Sequence, residues 1–236
     1  MSSRCMGKLT LIKNLINLFL PDVCAICGTE LLEKESGACL KCIYKLPKTY
    51  NFRKESNSAE LLMAGRIPYE RIATFSYFTE GGVLRPLIHK LKYYNGEDIG
   101  LILGKMFGND LLSSDFINNI DIIVPVPLHP KKIRSRGYNQ AEIIARGISE
   151  ATEIPVVTNN LIRVVHNPTQ TKRTKTERWK NVRGIFEVKD AQYFEGKHIL
   201  LVDDVITTGS TIEACGIALQ ICKNLKISIA TIGEVL

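Results

Sequence analysis

Long apolar runs are missing from this 236-residue chain. The most apolar stretch near a terminus, residues 8–20, is broken by Lys13, Asn14 and Asn17 and is too short to cross a bilayer as a helix. No A-x-A-like cleavage site follows it, so a signal peptide is not expected. Leu9, Ile12, Leu15, Ile16 and Phe19 recur at helical spacing, which predicts an amphipathic helix over 1–20. Packing on the rest of the chain is its plain reading, and membrane or partner contact is the alternative. The glycine-rich signatures are missing too. There is no G-x-x-x-x-G-K-[ST] and no G-x-G-x-x-G, which excludes a P-loop nucleotidase and removes the sign of a dinucleotide fold. No Ser/His/Asp or Cys/His arrangement suggests a protein nucleophile. No internal repeat or low-complexity segment stands out.

The seven cysteines form no even-numbered framework. Four of them make two CxxC pairs, Cys24/Cys27 and Cys39/Cys42, while Cys5, Cys215 and Cys222 are scattered. This pattern fits metal ligation in a reducing compartment better than disulfides, and a cytoplasmic protein is expected. Each CxxC places two thiolates on one ion, and two such hairpins complete a tetrahedral shell. Structural Zn²⁺ is the first reading; an iron–sulfur cluster and no metal are the alternatives. A closed four-thiolate shell leaves no open position, so metal catalysis is not expected there.

What is present in quantity is positive charge. The formal net charge is +7, which suits anionic partners without choosing among nucleotides, pyrophosphate, nucleic acid and membrane surfaces. The organisation reads as an N-terminal helix over 1–20, a cysteine module over 21–47, a polar linker over 48–66 and a main domain over 67–236. In the main domain, apolar runs at 72–78, 121–126, 156–165, 198–202 and 226–235 predict strands. Periodic segments at 82–94, 97–112, 138–151 and 211–223 predict helices. The alternation argues for an α/β fold with a mostly parallel sheet flanked by helices. Residues 166–183 lack apolar periodicity. They hold His166, Lys172, Arg173, Lys175, Arg178, Lys180 and Arg183 against a single Glu177, which predicts a segment ordered only by a ligand.

One run carries chemistry: Val202-Asp203-Asp204-Val205-Ile206-Thr207-Thr208-Gly209-Ser210-Thr211. Ligands bind at the carboxyl ends of strands in open α/β sheets. Backbone N–H groups at a helix N-terminus lack intrahelical partners and favour an anion. Gly209 permits a tight turn, and the hydroxyls add donors, so the loop is a cradle for one phosphate monoester. Asp203 and Asp204 would repel that phosphate, so they face ribose hydroxyls or a Mg²⁺-bound water. The plainer reading is an acidic strand end before a helix capped by Ser210 or Thr211. A response-regulator receiver is excluded, because the 32 residues after Asp204 are too few for the rest of one.

The run Leu201–Thr211 resembles the 5-phosphoribosyl-1-pyrophosphate (PRPP) motif of type I phosphoribosyltransferases. The whole chain is similar to the ComF family, linked to DNA uptake in competent bacteria. The resemblance rests on the four-cysteine module, Val124-Pro125-Val126-Pro127-Leu128, Arg136-Gly137-Tyr138-Asn139-Gln140, and Gln170 through Arg178 and Asn181 to Gly184-Ile185-Phe186. It implies a type I phosphoribosyltransferase-like sheet with a small N-terminal zinc-ribbon module, and Mg²⁺-dependent transfer of phosphoribosyl with pyrophosphate release. In that reading Thr207, Thr208, Gly209, Ser210 and Thr211 bind the 5-phosphate, and Val205 and Ile206 belong with them to the substrate-binding run. Asp203 and Asp204 hold ribose hydroxyls. Pro127, Leu128, Lys132 and Arg136 meet Mg-pyrophosphate, and Asn139 or Gln140 touches ribose or acceptor. Lys172 and Arg173, on a loop that closes over the substrate, neutralise the leaving pyrophosphate. The acceptor is left open. The rival reading is a non-catalytic protein of the same fold that binds a phosphorylated ligand or single-stranded DNA, with other DNA-uptake proteins as partners. His129 as a structural residue and Trp179 as packing are the plainer readings of those two side chains.

Overall fold

The computed structural model describes residues 22–33, 35–94, 96–165 and 184–235. Two short helices come first, α1 (Leu40–Tyr44) and α2 (Ser58–Met63). Strand β1 (Ile72–Phe78), helices α3 (Leu84–Tyr93) and α4 (Glu97–Leu112) and strand β2 (Ile122–Pro125) follow. Next are α5 (Pro130–Arg136), α6 (Gln140–Thr152), and the short strands β3 (Leu161–Arg163) and β4 (Phe186–Val188). Helix α7 (Ala191–Phe194), strand β5 (His198–Ile206), helix α8 (Ser210–Leu219) and strand β6 (Lys226–Val235) close the order.

The main sheet has the order β1-β6-β5-β2 with every pairing parallel. Parallel strands need crossovers, and the helices that supply them cover both faces. Alternation along β5 divides the interior. Ile199 and Leu201 join the core beneath α8, while Leu200 and Val202 join the core beneath α3, α4 and α6. Both faces are buried, so the run from Ile199 to Val202 is apolar throughout rather than alternating. β3 and β4 form a separate antiparallel pair.

The strand expected over 198–202 runs on to Ile206, because β6 keeps pairing with it at Asp203–Thr231, Val205–Gly233 and Ile206–Glu234. The strand expected over 156–165 shrinks to Leu161–Arg163, with Val156 making one parallel bridge to Ile123. The polar stretch 48–66 is folded rather than a spacer. Three of its polar side chains, Asn51, Asn57 and Glu60, are buried and bonded to the edge strand β1. Asn51 donates to Thr74 Oγ1 and accepts from Thr74 N, Asn57 donates to Ile72 O, and Glu60 accepts from Ile72 N. A capping box between Asn57 and Glu60 starts α2. Composition suggests a linker there because partners that sit far away in sequence cannot be read locally.

The cysteine segment packs on α4. Ser36 donates to Asp98 at 2.9 Å and Lys48 pairs with Asp110 at 2.7 Å. Cys24, Cys39 and Cys42 share the core of Leu103 and Phe107. Among the described residues no helix is long and apolar enough to cross a membrane. The expected helix over 1–20 and the basic segment 166–183 lie outside the described residues.

Candidate functional site

Strand β5 carries the two aspartates near its carboxyl end, and the pleat sends them to opposite faces. Asp203 continues the line of Ile199 and Leu201, and Asp204 that of Leu200 and Val202. Both are buried. Asp203 Oδ1 accepts from Asp204 N at 2.8 Å, and Asp204 Oδ1 accepts from Val205 N at 2.7 Å. Burial, and next the Asp204 carboxylate, push Asp203 up to about 8, so at neutral pH this carboxyl retains much of its proton. Asp204 Oδ2 lies 2.7 Å from Lys92 Nζ on α3. That is an ion-pair distance, yet the approach misses the hydrogen-bonding directions, and Oδ2 is left buried without a directed donor.

After β5 the chain turns through Thr207 and Thr208 into Gly209, which sits at φ +74° and caps α8. No side chain caps that helix, so its first amides are available to a ligand. Thr208 Oγ1 and Ser210 Oγ lie 2.9 Å apart. A clamp behind the loop holds its shape: the Arg66 guanidinium donates to Thr208 O and pairs with Glu213, one turn into α8. Gly209 is required twice over. Its φ is left-handed, and a Cβ there would run into Met63 Sδ and lie 2.8 Å from Arg66 Nη1.

This loop, through Thr207 and Thr211, and the aspartates line a cleft of about 400 Å³. Four cations line it with them. Lys132 and Arg136 come from α5, Arg163 from β3 and Lys92 from α3. Burial, and then the charges of Arg163, Arg136 and Lys92, lower the Lys132 pKa. Arg136 donates to Gln140 Oε1 and lies 5.7 Å over the Tyr93 ring. Four cations brought together from three elements, with one carboxylate paired among them, leave the lining short of negative charge.

Of the side chains expected from sequence, the fold brings Asp203, Asp204, Val205, Thr207, Thr211, Pro127, Leu128, Lys132, Arg136 and Asn139 to this one cleft. Ile206 is instead buried in the core beneath α8. Thr208, Gly209 and Ser210 form the loop beside the lining. Asn139 lines the cleft with its amide already engaged, donating to Val126 O at 3.0 Å and accepting from Ala141 N at the start of α6. His129 caps α5 through Nδ1. Lys172 and Arg173 lie outside the described residues.

Lys92, Tyr93, Phe78 and Arg163 line the cleft without having been singled out from sequence. For Lys92 a signal exists. It falls four residues after Ile88, at the border of the buried stripe Leu84, Leu87, Ile88 and Leu91. For Arg163, on a three-residue strand, no local pattern marks the direction of the side chain.

The second cluster is the cysteine site. The sulfurs of Cys24, Cys27, Cys39 and Cys42 all lie within 4.8 Å of one another, and Cys27 and Cys39 are 3.8 Å apart. Four sulfurs at ~2.3 Å around a tetrahedral zinc stand ~3.8 Å from each other, so the donor set fits that ion. The thiols are unequal. The Thr29 hydroxyl and amide pull Cys27 down to about 6, while burial and the neighbouring thiols push Cys42 up to about 12.

A parallel sheet with paired acids and a phosphate-shaped loop at its carboxyl end defines a class. The chain belongs to the phosphoribosyl transferase domain family, whose model matches residues 95–234. Its curated relatives narrow this to the ComF group. It is 27% identical over 194 residues to Competence protein F of Haemophilus influenzae, covering 80% of this chain and 75% of that one. It is 25% identical over 206 residues to the DNA utilization protein YhgH of Salmonella typhimurium, covering 83% and 89%. To Competence protein ComFC of Bacillus subtilis it is 28% identical over 138 residues, covering 58% and 54%.

Proposed function

We propose that the cleft binds PRPP with Mg²⁺ and that the chain transfers the phosphoribosyl group to an acceptor, releasing pyrophosphate. The observation that carries this reading is one cleft whose lining combines two neighbouring aspartates and the loop before an uncapped helix N-terminus with four cations. The 5-phosphate lies on the amides and hydroxyls of Thr207–Thr211. Protonated Asp203 donates to a ribose hydroxyl and Asp204 accepts from one. Lys132, Arg136 and Arg163 receive the pyrophosphate, joined by Lys172 and Arg173 of the basic segment. In transfer, the bond from C1 to the pyrophosphate oxygen breaks, the acceptor bonds to C1 and loses its proton, and the cations of the cleft stabilise the charge that leaves. Mg²⁺, when bound with PRPP, supplies further neutralisation of the pyrophosphate. The four cysteines hold a structural zinc that braces α4. Relatives named for competence and for DNA utilization support a link between this proposed activity and DNA uptake, and we read the chain as acting in the cytoplasm.

Calorimetric titration of the zinc-loaded protein with PRPP and Mg²⁺ tests the site, run beside Asp203→Ala/Asp204→Ala. Saturable binding is expected in the parent protein. Loss of two hydrogen bonds to charged or buried carboxyls predicts affinity lower by roughly 100-fold or more in the double variant. Equal binding by both proteins would put the ligand elsewhere.

The second reading, a non-catalytic binding protein that handles single-stranded DNA, has an observation of its own. Tyr93 and Tyr94 are exposed beside the cationic cleft and pack around His89, with ring centroids 5.0 and 5.5 Å from it. Bases stack on such rings while cations track the backbone. Tight binding of single strands with no pyrophosphate released from PRPP would favour it.

A further inference from the structure

We propose that Lys92 is a positioning residue of the cleft: it holds Asp204 in the ligand-free protein and passes to the ligand's pyrophosphate oxygens when ribose hydroxyls take over the carboxylate. This rests on the PRPP reading above. Three observations carry it. Lys92 Nζ is 2.7 Å from Asp204 Oδ2, and its side chain is 28% exposed against 8% for Asp204, so the ammonium can leave and the carboxylate cannot. Oδ2 has no directed hydrogen-bond donor, so the ion pair holds the charge without satisfying the oxygen. Among the described residues, Lys92 is the one cation lining the cleft that is paired with a carboxylate. Arg136 is turned to Gln140, Arg163 donates to Val165 O, and burial, followed by the other three charges, lowers the Lys132 pKa.

The exchange follows from these constraints. A ribose hydroxyl is a directed donor, which Oδ2 lacks, and it satisfies the oxygen without a second charge. Lys92 is then an unpaired cation on a flexible four-carbon stem, in the same cleft as three other cations. A pyrophosphate placed there relieves the mutual repulsion of all four. The two ends of the ligand thus help each other through one side chain: the diol releases Lys92 and the pyrophosphate receives it. A ligand carrying only one of the two groups gains less.

The test is a calorimetric titration of the parent protein, Lys92→Met, Lys92→Arg and Asp204→Asn with PRPP, pyrophosphate and ribose 5-phosphate, all at fixed Mg²⁺, with unfolding midpoints measured alongside. Lys92→Met is expected to weaken PRPP and pyrophosphate on the order of tenfold, the loss of one charged hydrogen bond. It leaves ribose 5-phosphate unchanged or tighter, because no counter-ion has to be displaced, and Lys92→Arg restores most of the pyrophosphate affinity. Asp204→Asn frees Lys92 without removing it, so pyrophosphate binds as well or better while ribose 5-phosphate weakens. Equal weakening of all three ligands by Lys92→Met, no change in any of them, or weaker pyrophosphate binding by Asp204→Asn would each overturn the exchange. If the parent protein binds none of the three ligands, the PRPP reading itself fails; if it binds them and Lys92→Met matches it, only the role of Lys92 falls.

Discussion

Two clusters of ionisable groups of one sign sit in this fold, and they are stabilised in different ways. Four thiols lie within 4.8 Å of each other on the cysteine segment, and two carboxyls occupy successive positions at the end of β5. Neither cluster tolerates full ionisation unaided. At the thiols, the four sulfurs converge as a single cation would require; Cys24, Cys39 and Cys42 are set in the apolar core beneath α4, and Cys27 is exposed. At the carboxyls, one group is pushed up until it holds its proton and the other leans on Lys92 at the edge of an open cleft. A closed cluster contributes stability and little else. An open cluster keeps a partner that a ligand can replace, and so it is the one placed for binding.

The sharpest way to break this comparison is to open the closed cluster. Cys39→Ser leaves three thiols, and loss of a structural metal should cost on the order of 5 kcal/mol. For a chain of this size the unfolding midpoint should fall by roughly 10 °C or more, read by scanning calorimetry. Metal analysis of the parent should find one zinc per chain, and chelation should reproduce the fall. A variant as stable as its parent, with or without chelator, would mean that the apolar core alone holds the segment on α4.

A smaller effect belongs to the open cluster. Asp203 is raised from the ordinary 3.8 to about 8, so between those values the folded chain binds more protons than the unfolded one. The stability this contributes is fully present below about pH 4 and is lost as pH rises through about 8. Urea unfolding between pH 5 and pH 9 should therefore show the parent weakening relative to Asp203→Asn, which has no proton to lose. Parallel curves for the two proteins would show that the carboxyl ionises in the fold as easily as in the unfolded chain.

How much of each region can be read in the sequence follows from how local it is. The cysteine pairs and the run from Val202 to Thr211 are contiguous, and their spacing alone places thiols on one ion and a loop before a helix. The four cations of the cleft come from α3, α5 and β3, over seventy residues of chain, and only Lys132 and Arg136 among them follow directly from a strand end. Lys92 needs the helix phase to be found, and Arg163 needs the fold. The stretch 48–66 misleads for the same reason. Asn51, Asn57 and Glu60 look solvent-loving, yet each bonds to the edge of β1. Arg66, the last residue of that stretch, clamps the loop before α8 from behind, a role that only tertiary contact reveals.

The smallest expected change in stability separates the two halves of the open site from each other. Gly209→Ala adds one methyl group at φ +74°, facing Met63 and Arg66. A non-glycine residue in that conformation costs ~1–3 kcal/mol, and the crowding adds to it unless Met63 or Arg66 moves. If Arg66 moves, it releases Thr208 O and the loop loses its clamp. Ribose 5-phosphate, held by this loop, should then weaken, while pyrophosphate, held by the cations of the cleft, should not. Titration of both ligands into Gly209→Ala reads the difference directly. Equal loss of both would mean that the loop and the cations behave as one unit, and that the loop's shape matters to the whole cleft rather than to the phosphate alone.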